Sequence, residues 1–170
     1  CIDNNLDLRN DYNLENELNN KYNIKGNDLI KTIKDKDKEI ANLKKELIIS
    51  KLITRDIQNI SDINILFTEI ADIDVKQLRE ISNDIINNKK FTKSSIIILY
   101  NISNNKVIIT IKITNDLLEK FNACTIFKAI SPHINAKGGG SQADFAMGGG
   151  DKIEGINNIK NNLINIIHDA

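Results

Sequence analysis

The chain has 170 residues, 41% of them hydrophobic, with 23 basic and 23 acidic side chains that cancel to a formal net charge of zero. That length suits one modest domain with an appendage, and the apolar fraction suffices for a real core. Neutrality argues against a strong autonomous nucleic-acid module, whose affinity rests on phosphate contacts and counterion release, and leaves room for a weak local contact within a larger protein.

Cys1 and Cys124 are too few and too far apart for a metal site or a disulfide framework. No apolar run is long enough to span a bilayer and no signal peptide is evident, so a soluble, reducing compartment is expected, cytoplasmic or organellar. The chain opens on Cys1 and is expected to be a piece of a longer polypeptide. Its Ile, Asn and Lys bias is that of an A+T-rich genome, so isolated Asn and Lys residues carry little functional weight.

From Leu6 to about Ile60 the sequence is polar, charged and free of proline. Leu14, Leu18 and Tyr22 share a helical stripe, and Lys25-Gly26-Asn27 breaks it with a terminator and a cap. Leu29, Ile33, Ile40, Leu43 and Leu47 then keep an a/d-like spacing, interrupted by Lys36, while Lys34 to Lys38 form a solvated face. The expected form is a helical hairpin, with a short self-associating coiled coil as the alternative. Residues 1–60 are thus a stalk and 61–170 a globular domain.

Beyond Asp62 the pattern changes. Ile63, Ile65 and Phe67 alternate as in a strand. Asp74 and Gln77 fit a capping box for a helix carrying Val75, Leu78, Ile81 and Ile85. Ser95 to Tyr100 reads as a strand buried on both faces, joined through Asn101–Asn105 to a second strand, Lys106–Ile113, as a hairpin. A short helix begins at Asn115 and another at about Ala123, which Pro132 ends. Asp151 and Glu154 are spaced to cap a final helix with Ile153, Ile156, Ile159, Leu163 and Ile166 inward. The predicted class is α/β (α+β), a mixed sheet packed by helices.

Six of the eight glycines lie in Gly138-Gly139-Gly140 and Gly148-Gly149-Gly150. Residues without Cβ reach unusual dihedrals and admit close neighbours. With Lys137 before the first triplet and Ser141-Gln142 after it, the segment from Ile134 to Asp151 reads as a loop shaped for phosphate or an anionic polymer. Lys128 extends the positive charge. The candidate contacts are therefore Lys137, Gly138, Gly139, Gly140, Ser141, Gln142 and Lys128. Tight-turn geometry is the competing explanation of the triplets. Gly138-x-Gly140-x-x-Ala143 is only a loosened dinucleotide fingerprint, and it follows a helix where that motif needs a strand. Phe145 is expected in a brief strand and as a core anchor, Cys124 as a small core residue, His133 as a partly buried polar group, and Asp144 as an unpartnered turn residue.

Lys137-Gly138-Gly139-Gly140, Asp144-Phe145-Ala146 and Gly149-Gly150, with the preceding strands and the Ala123-Cys124-x-Ile126 helix, resemble the C-terminal domain of alanyl-tRNA synthetases. The accessory domain of DHH-type phosphoesterases is similar, but a preceding helical segment matches the synthetase better. The resemblance covers Asp62 to the end. It implies a non-catalytic module that helps hold tRNA(Ala) at the outer corner of its L-shape, couples charging with editing and contributes to a dimer through the stalk. ATP, Mg and Zn would belong to other domains of the parent enzyme, with no cofactor or catalytic residue here. Relatives often read Gly-Arg-Pro-Asp where this chain has Ser141-Gln142-Ala143-Asp144. The missing arginine removes a bidentate phosphate fork. A structural or oligomerisation module with little RNA binding is the alternative.

Overall fold

The computed structural model describes residues 28–54, 57–91, 93–140 and 142–168, with positions 13, 16, 17, 20 and 21, which are helical. The stripe of Leu14, Leu18 and Tyr22 and the break at Lys25-Gly26-Asn27 lie outside the described residues. The chain divides into two compact units between Glu46 and Leu47, earlier than the change of sequence texture near Ile60.

In the first unit the described helix is α1, Leu29–Ile53, which runs on past the boundary. Its sequence has no proline or glycine to stop it. Ile33, Ile40 and Leu43 stand about half exposed along the expected seam, and Lys36 pairs with Glu39 at 2.8 Å on the solvated face.

The second unit is a six-stranded mixed sheet whose strands, in chain order β1 (Gln58–Ile60), β2 (Ile63–Glu69), β3 (Ser95–Ser103), β4 (Lys106–Ile113), β5 (Lys137–Gly138) and β6 (Phe145–Gly150), lie side by side as β1-β2-β3-β4-β6-β5. Strand β2 (Ile63–Glu69) runs parallel to β3 (Ser95–Ser103), with helix α2 (Val75–Ile86) as the crossover between them. Strand β4 (Lys106–Ile113) returns antiparallel beside β3 through the predicted hairpin. Five consecutive residues of β3, Ser95–Leu99, are buried, as a two-faced central strand requires. An edge strand that the sequence did not announce, β1 (Gln58–Ile60), pairs with β2 across a turn at Ser61 and Asp62, both with positive φ.

Helices cover both faces of the sheet. On one, Leu78, Ile81 and Ile85 of α2 pack with Leu66, Ile97, Leu99 and Phe91, joined by Leu52 from the end of α1. The capping box holds: Gln77 N–H donates to Asp74 Oδ1 at 2.7 Å and Asp74 N–H to Gln77 Oε1 at 3.0 Å. Val75, expected inward, is 47% exposed. Its place in the buried surface is taken by Ser82, whose hydroxyl lies 2.9 Å from that of Thr110 on β4. On the other face, helices α3 (Ala123–Ile130) and α4 (Ile156–His168) cover Ile96, Ile98, Ile109 and Ile111.

Three sequence expectations change at the C-terminal end. The brief strand expected around Phe145 is present and runs on through the second glycine triplet: β6 (Phe145–Gly150) lies beside β4, and β5 (Lys137–Gly138) pairs with it at the edge. Asp151 and Glu154 form no capping box. A single 3-10 turn, Ile153–Gly155, precedes α4 with no side-chain cap, and Asp151 instead accepts from the Asn135 amide at 3.2 Å. Ile156, Ile159 and Leu163 face inward as expected, but in the last turn Ile167 is buried and Ile166 only partly so. Pro132 does end α3, opening a 3-10 turn that closes at Asn135 in the left-handed region.

Candidate nucleic-acid interface

The glycine-rich segment is held to the body by its backbone. Gly139 N–H donates to the Met147 carbonyl at 2.8 Å, Ala123 N–H to Ala143 O at 2.7 Å, and Ile113 N–H to Asp144 O at 2.9 Å. Gly138 and Gly139 have φ of 115° and 118°, a region only glycine enters without strain.

The glycines also answer a packing need. A Cβ on Gly139 would stand 2.9 Å from Phe127 Cδ1, one on Gly148 would overlap the tip of the same ring, and one on Gly150 would overlap the Ile134 carbonyl. Phe127, 1% exposed, is therefore seated between the two triplets. Turn geometry and packing thus account for Gly138, Gly139, Gly148 and Gly150. Gly139 is buried, Gly148 to Gly150 are partly covered, and Lys137, Gly138, Gly140 and Gln142 are exposed. Ser141 lies outside the described residues.

Side chains add further anchors. Asp144, expected without a partner, is 2.6 Å from Lys112 Nζ on β4, and both are partly shielded from solvent. Phe145 is the core anchor expected of it, 8% exposed. It carries cations on its ring, Arg79 of α2 at 5.0 Å and Lys112 at 5.9 Å. Cys124 is not a sealed core residue. Half-buried, its Sγ lies 3.4, 3.3 and 3.1 Å from the carbonyl oxygens of Gly139, Gly140 and Gln142. His133 is partly buried as predicted, its Nε2 3.0 Å from Asn162 Nδ2.

Lys137 lines a cleft of about 360 Å³ with Lys106, Ile108, Gly149, Gly150 and Asp151. Lys128 is exposed but sits on α3, in the helical layer of Phe127, and does not line that cleft. Sequence reasoning missed Lys106, Lys112 and Arg79. Lys106 and Lys112 lie at the two ends of β4 and Arg79 on α2; the register that sets Lys112 opposite Phe145, and Val107 opposite Gly150, places the lysines here, and the packing of α2 brings Arg79 over Phe145. A second cleft of about 500 Å³, lined by Lys93, Lys112, Thr114, Asp116 and Asp144, lies at the other end of β4. Hydrogen bonding from Thr114 and then from Ser94 holds the Asp116 carboxyl below the usual carboxylate range, against the opposing effect of burial. Ser94 donates to it from both N–H, at 2.7 Å, and Oγ, at 3.1 Å. Among the described residues, no three His, Cys, Asp or Glu side chains gather as metal ligands, and no helix is long and apolar enough to cross a membrane.

Comparison with known proteins agrees with this architecture. Residues 62–169 match the DHHA1 domain family. The alanine–tRNA ligase of Francisella tularensis is 37% identical over 130 residues, which is 75% of this chain and 14% of that protein. The ligase of Rickettsia akari is 28% identical over 160 residues, 91% of this chain and 18% of its own. The chain thus spans less than a fifth of the curated relatives it matches. Among solved structures, the C-Ala domain of Aquifex aeolicus alanyl-tRNA synthetase superposes with a TM-score of 0.61 at 18% identity, covering 67% of this chain and 99% of that one, and so shares the fold. With a family match across most of its length and alanine–tRNA ligases as its relatives, the chain belongs to the DHHA1 domain family and resembles the C-terminal domain of alanyl-tRNA synthetases.

Proposed function

We propose that this chain is the C-terminal domain of a cytoplasmic alanine–tRNA ligase, which helps hold tRNA(Ala) at its outer corner and couples aminoacylation with editing. The observation that carries the reading is the 37% identity with such a ligase, together with a glycine segment whose exposed part is Lys137, Gly138, Gly140 and Gln142. Lys137 and the exposed backbone contact phosphate, and Lys128 contributes from the α3 layer. Ser141 and Gly139 belong to the same segment, Gly139 as its buried support. The mechanism is positional. A weak contact on the tRNA body raises the effective concentration of the acceptor end at both active sites, and RNA is read by shape and phosphate rather than base sequence. Activation of alanine, with ATP and Mg, and the zinc site belong to other domains of the parent.

The test is filter binding, charging and editing by the full parent enzyme carrying Lys137→Glu. The expected result is tRNA affinity reduced a few-fold, with a shallower salt dependence. Unchanged affinity, charging and editing would remove the segment from the RNA contact.

A second reading, a structural module that dimerises through the stalk, is favoured by one observation. Ile33, Ile40, Leu43 and Leu47 are 52, 49, 58 and 56% exposed along the seam of α1. Sedimentation of the parent enzyme with and without Leu43→Glu separates the two. A dimer lost in the variant, with tRNA affinity retained throughout, supports the structural role.

A further inference from the structure

On β4 the side chains alternate between the two faces of the sheet. Thr110 bonds Ser82 of α2, so Lys106, Ile108 and Lys112 share the α2 face. The register carries that face across β6 and β5: Ile108 is opposite Gly149, Thr110 opposite Met147, Lys112 opposite Phe145, and Gly149 opposite Lys137. Helices α3 and α4 cover the other side. On the α2 side this outer strip is only partly covered: Ile108, Met147 and Gly149 are half-exposed, while Lys106 and Lys137 are exposed.

The strip has a particular chemistry. Its floor is Met147, Ile108 and the Gly149 peptide. Lys106 and Lys137 line the cleft at one end. At the other end Arg79, exposed, lies over the Phe145 ring at 5.0 Å, which holds its guanidinium as a ready-made plane. Lys112 is already paired with Asp144. Arg79, Lys106 and Lys137 have no ion pair among the described residues, so their charge is available to an anion. From Phe145 to Gly149 is four residues, about 13 Å of strand. Arginine planes and sheet floors are surfaces on which unstacked bases of RNA loops settle, with phosphates on neighbouring cations.

We propose that this α2-side strip of β4, β6 and β5 is a seat for two or three unstacked nucleotides of a tRNA loop, with Lys106 and Lys137 on phosphates and Arg79 stacked on a base. The inference rests on the tRNA-binding reading above and extends it. Arg79, from a different element, supplies the guanidinium that Gln142 lacks.

The test is equilibrium binding of tRNA by the full parent enzyme across a salt series. Four variants are compared: Lys106→Glu, Arg79→Ala, Arg79→Lys and, on the opposite layer, Lys160→Glu as control. Lys106→Glu is expected to weaken binding several-fold and to lower the salt slope by about one. Arg79→Ala is expected to cost about fivefold or more. Arg79→Lys keeps the charge but loses the plane, so it retains the salt slope yet binds more weakly, a signature that lost folding does not give. Wild-type affinity and slope in both Lys106→Glu and Arg79→Ala, with Lys137→Glu still weakened, would overturn the seat and leave the tRNA reading in place. Unchanged affinity after removal of residues 61–170 from the parent would overturn both.

Discussion

Strands β3 and β6 both pair with β4 in one sheet, yet they are built on opposite principles. Strand β3 fills its environment with side chains: Ile96, Ile97, Ile98 and Leu99 are each 0% exposed and serve cores on both faces. Strand β6 ends in three glycines and lets neighbours fill the space, Phe127 against Gly148 and the Ile134 carbonyl against Gly150. Isoleucine stabilises by burying apolar area. Glycine does so by what it admits, at a cost in chain entropy. The sheet therefore turns from a sealed core at β3 into a partly open surface at β6.

The sharpest way to break that contrast is to make β6 resemble β3. Gly148→Val, a gain in strand propensity, is expected to destabilise by about 3 kcal/mol or more because its Cβ overlaps Phe127. Ile98→Val in β3 should cost only about 1 kcal/mol. Chemical denaturation of the two variants measures the difference, and Gly148→Val combined with Phe127→Ala should cost less than the sum of the two single changes, because they share one contact. Equal costs would mean that the glycines serve something other than the seating of Phe127.

A smaller effect sharpens the α2 side. Ser82→Ala strands the buried Thr110 hydroxyl, which keeps only a 3.3 Å bond to Leu99 O. The expected loss is about 1–2 kcal/mol, with Ser82→Ala plus Thr110→Val nearer to wild type. A double variant as unstable as the sum of the singles would rule out that pairing.

The smallest effect concerns the sheet end near Asp116. A carboxyl held below its unfolded value contributes stability above that value and loses it as pH falls. Melting temperature should therefore drop below about pH 4, and Asp116→Asn should flatten that part of the profile. An identical acid profile in the variant would show that Asp116 is not part of it.

Much of this fold was legible as short-range pattern. The isoleucine run of β3, the asparagine-rich turn into β4 and the Asp74–Gln77 box each depend on residues within a few positions; the first and last were found where the pattern put them, while β3 runs on through Ser103 and the turn narrows to Asn104 and Asn105. Other elements carried no such signal. β1 is three residues long, and β5 is two. The 3-10 turn before α4 displaced a capping pair that looked valid in isolation. At the candidate site, Lys137 and the exposed glycines were readable from composition alone, because charge beside freed backbone is a local feature. Lys106, Lys112, Arg79 and the carbonyl surroundings of Cys124 were not.

The sequence by itself carried the glycine signature through which it resembles its family, and it determined the α/β class and the amphipathic faces of α2 and α3, because periodicity and capping act over one or two turns. Only the tertiary structure decided that the second glycine triplet is a strand, that Phe127 divides the triplets, and that Arg79 reaches Phe145. Those outcomes follow from strand register and from which backbone approaches which, relations between residues that are distant along the chain.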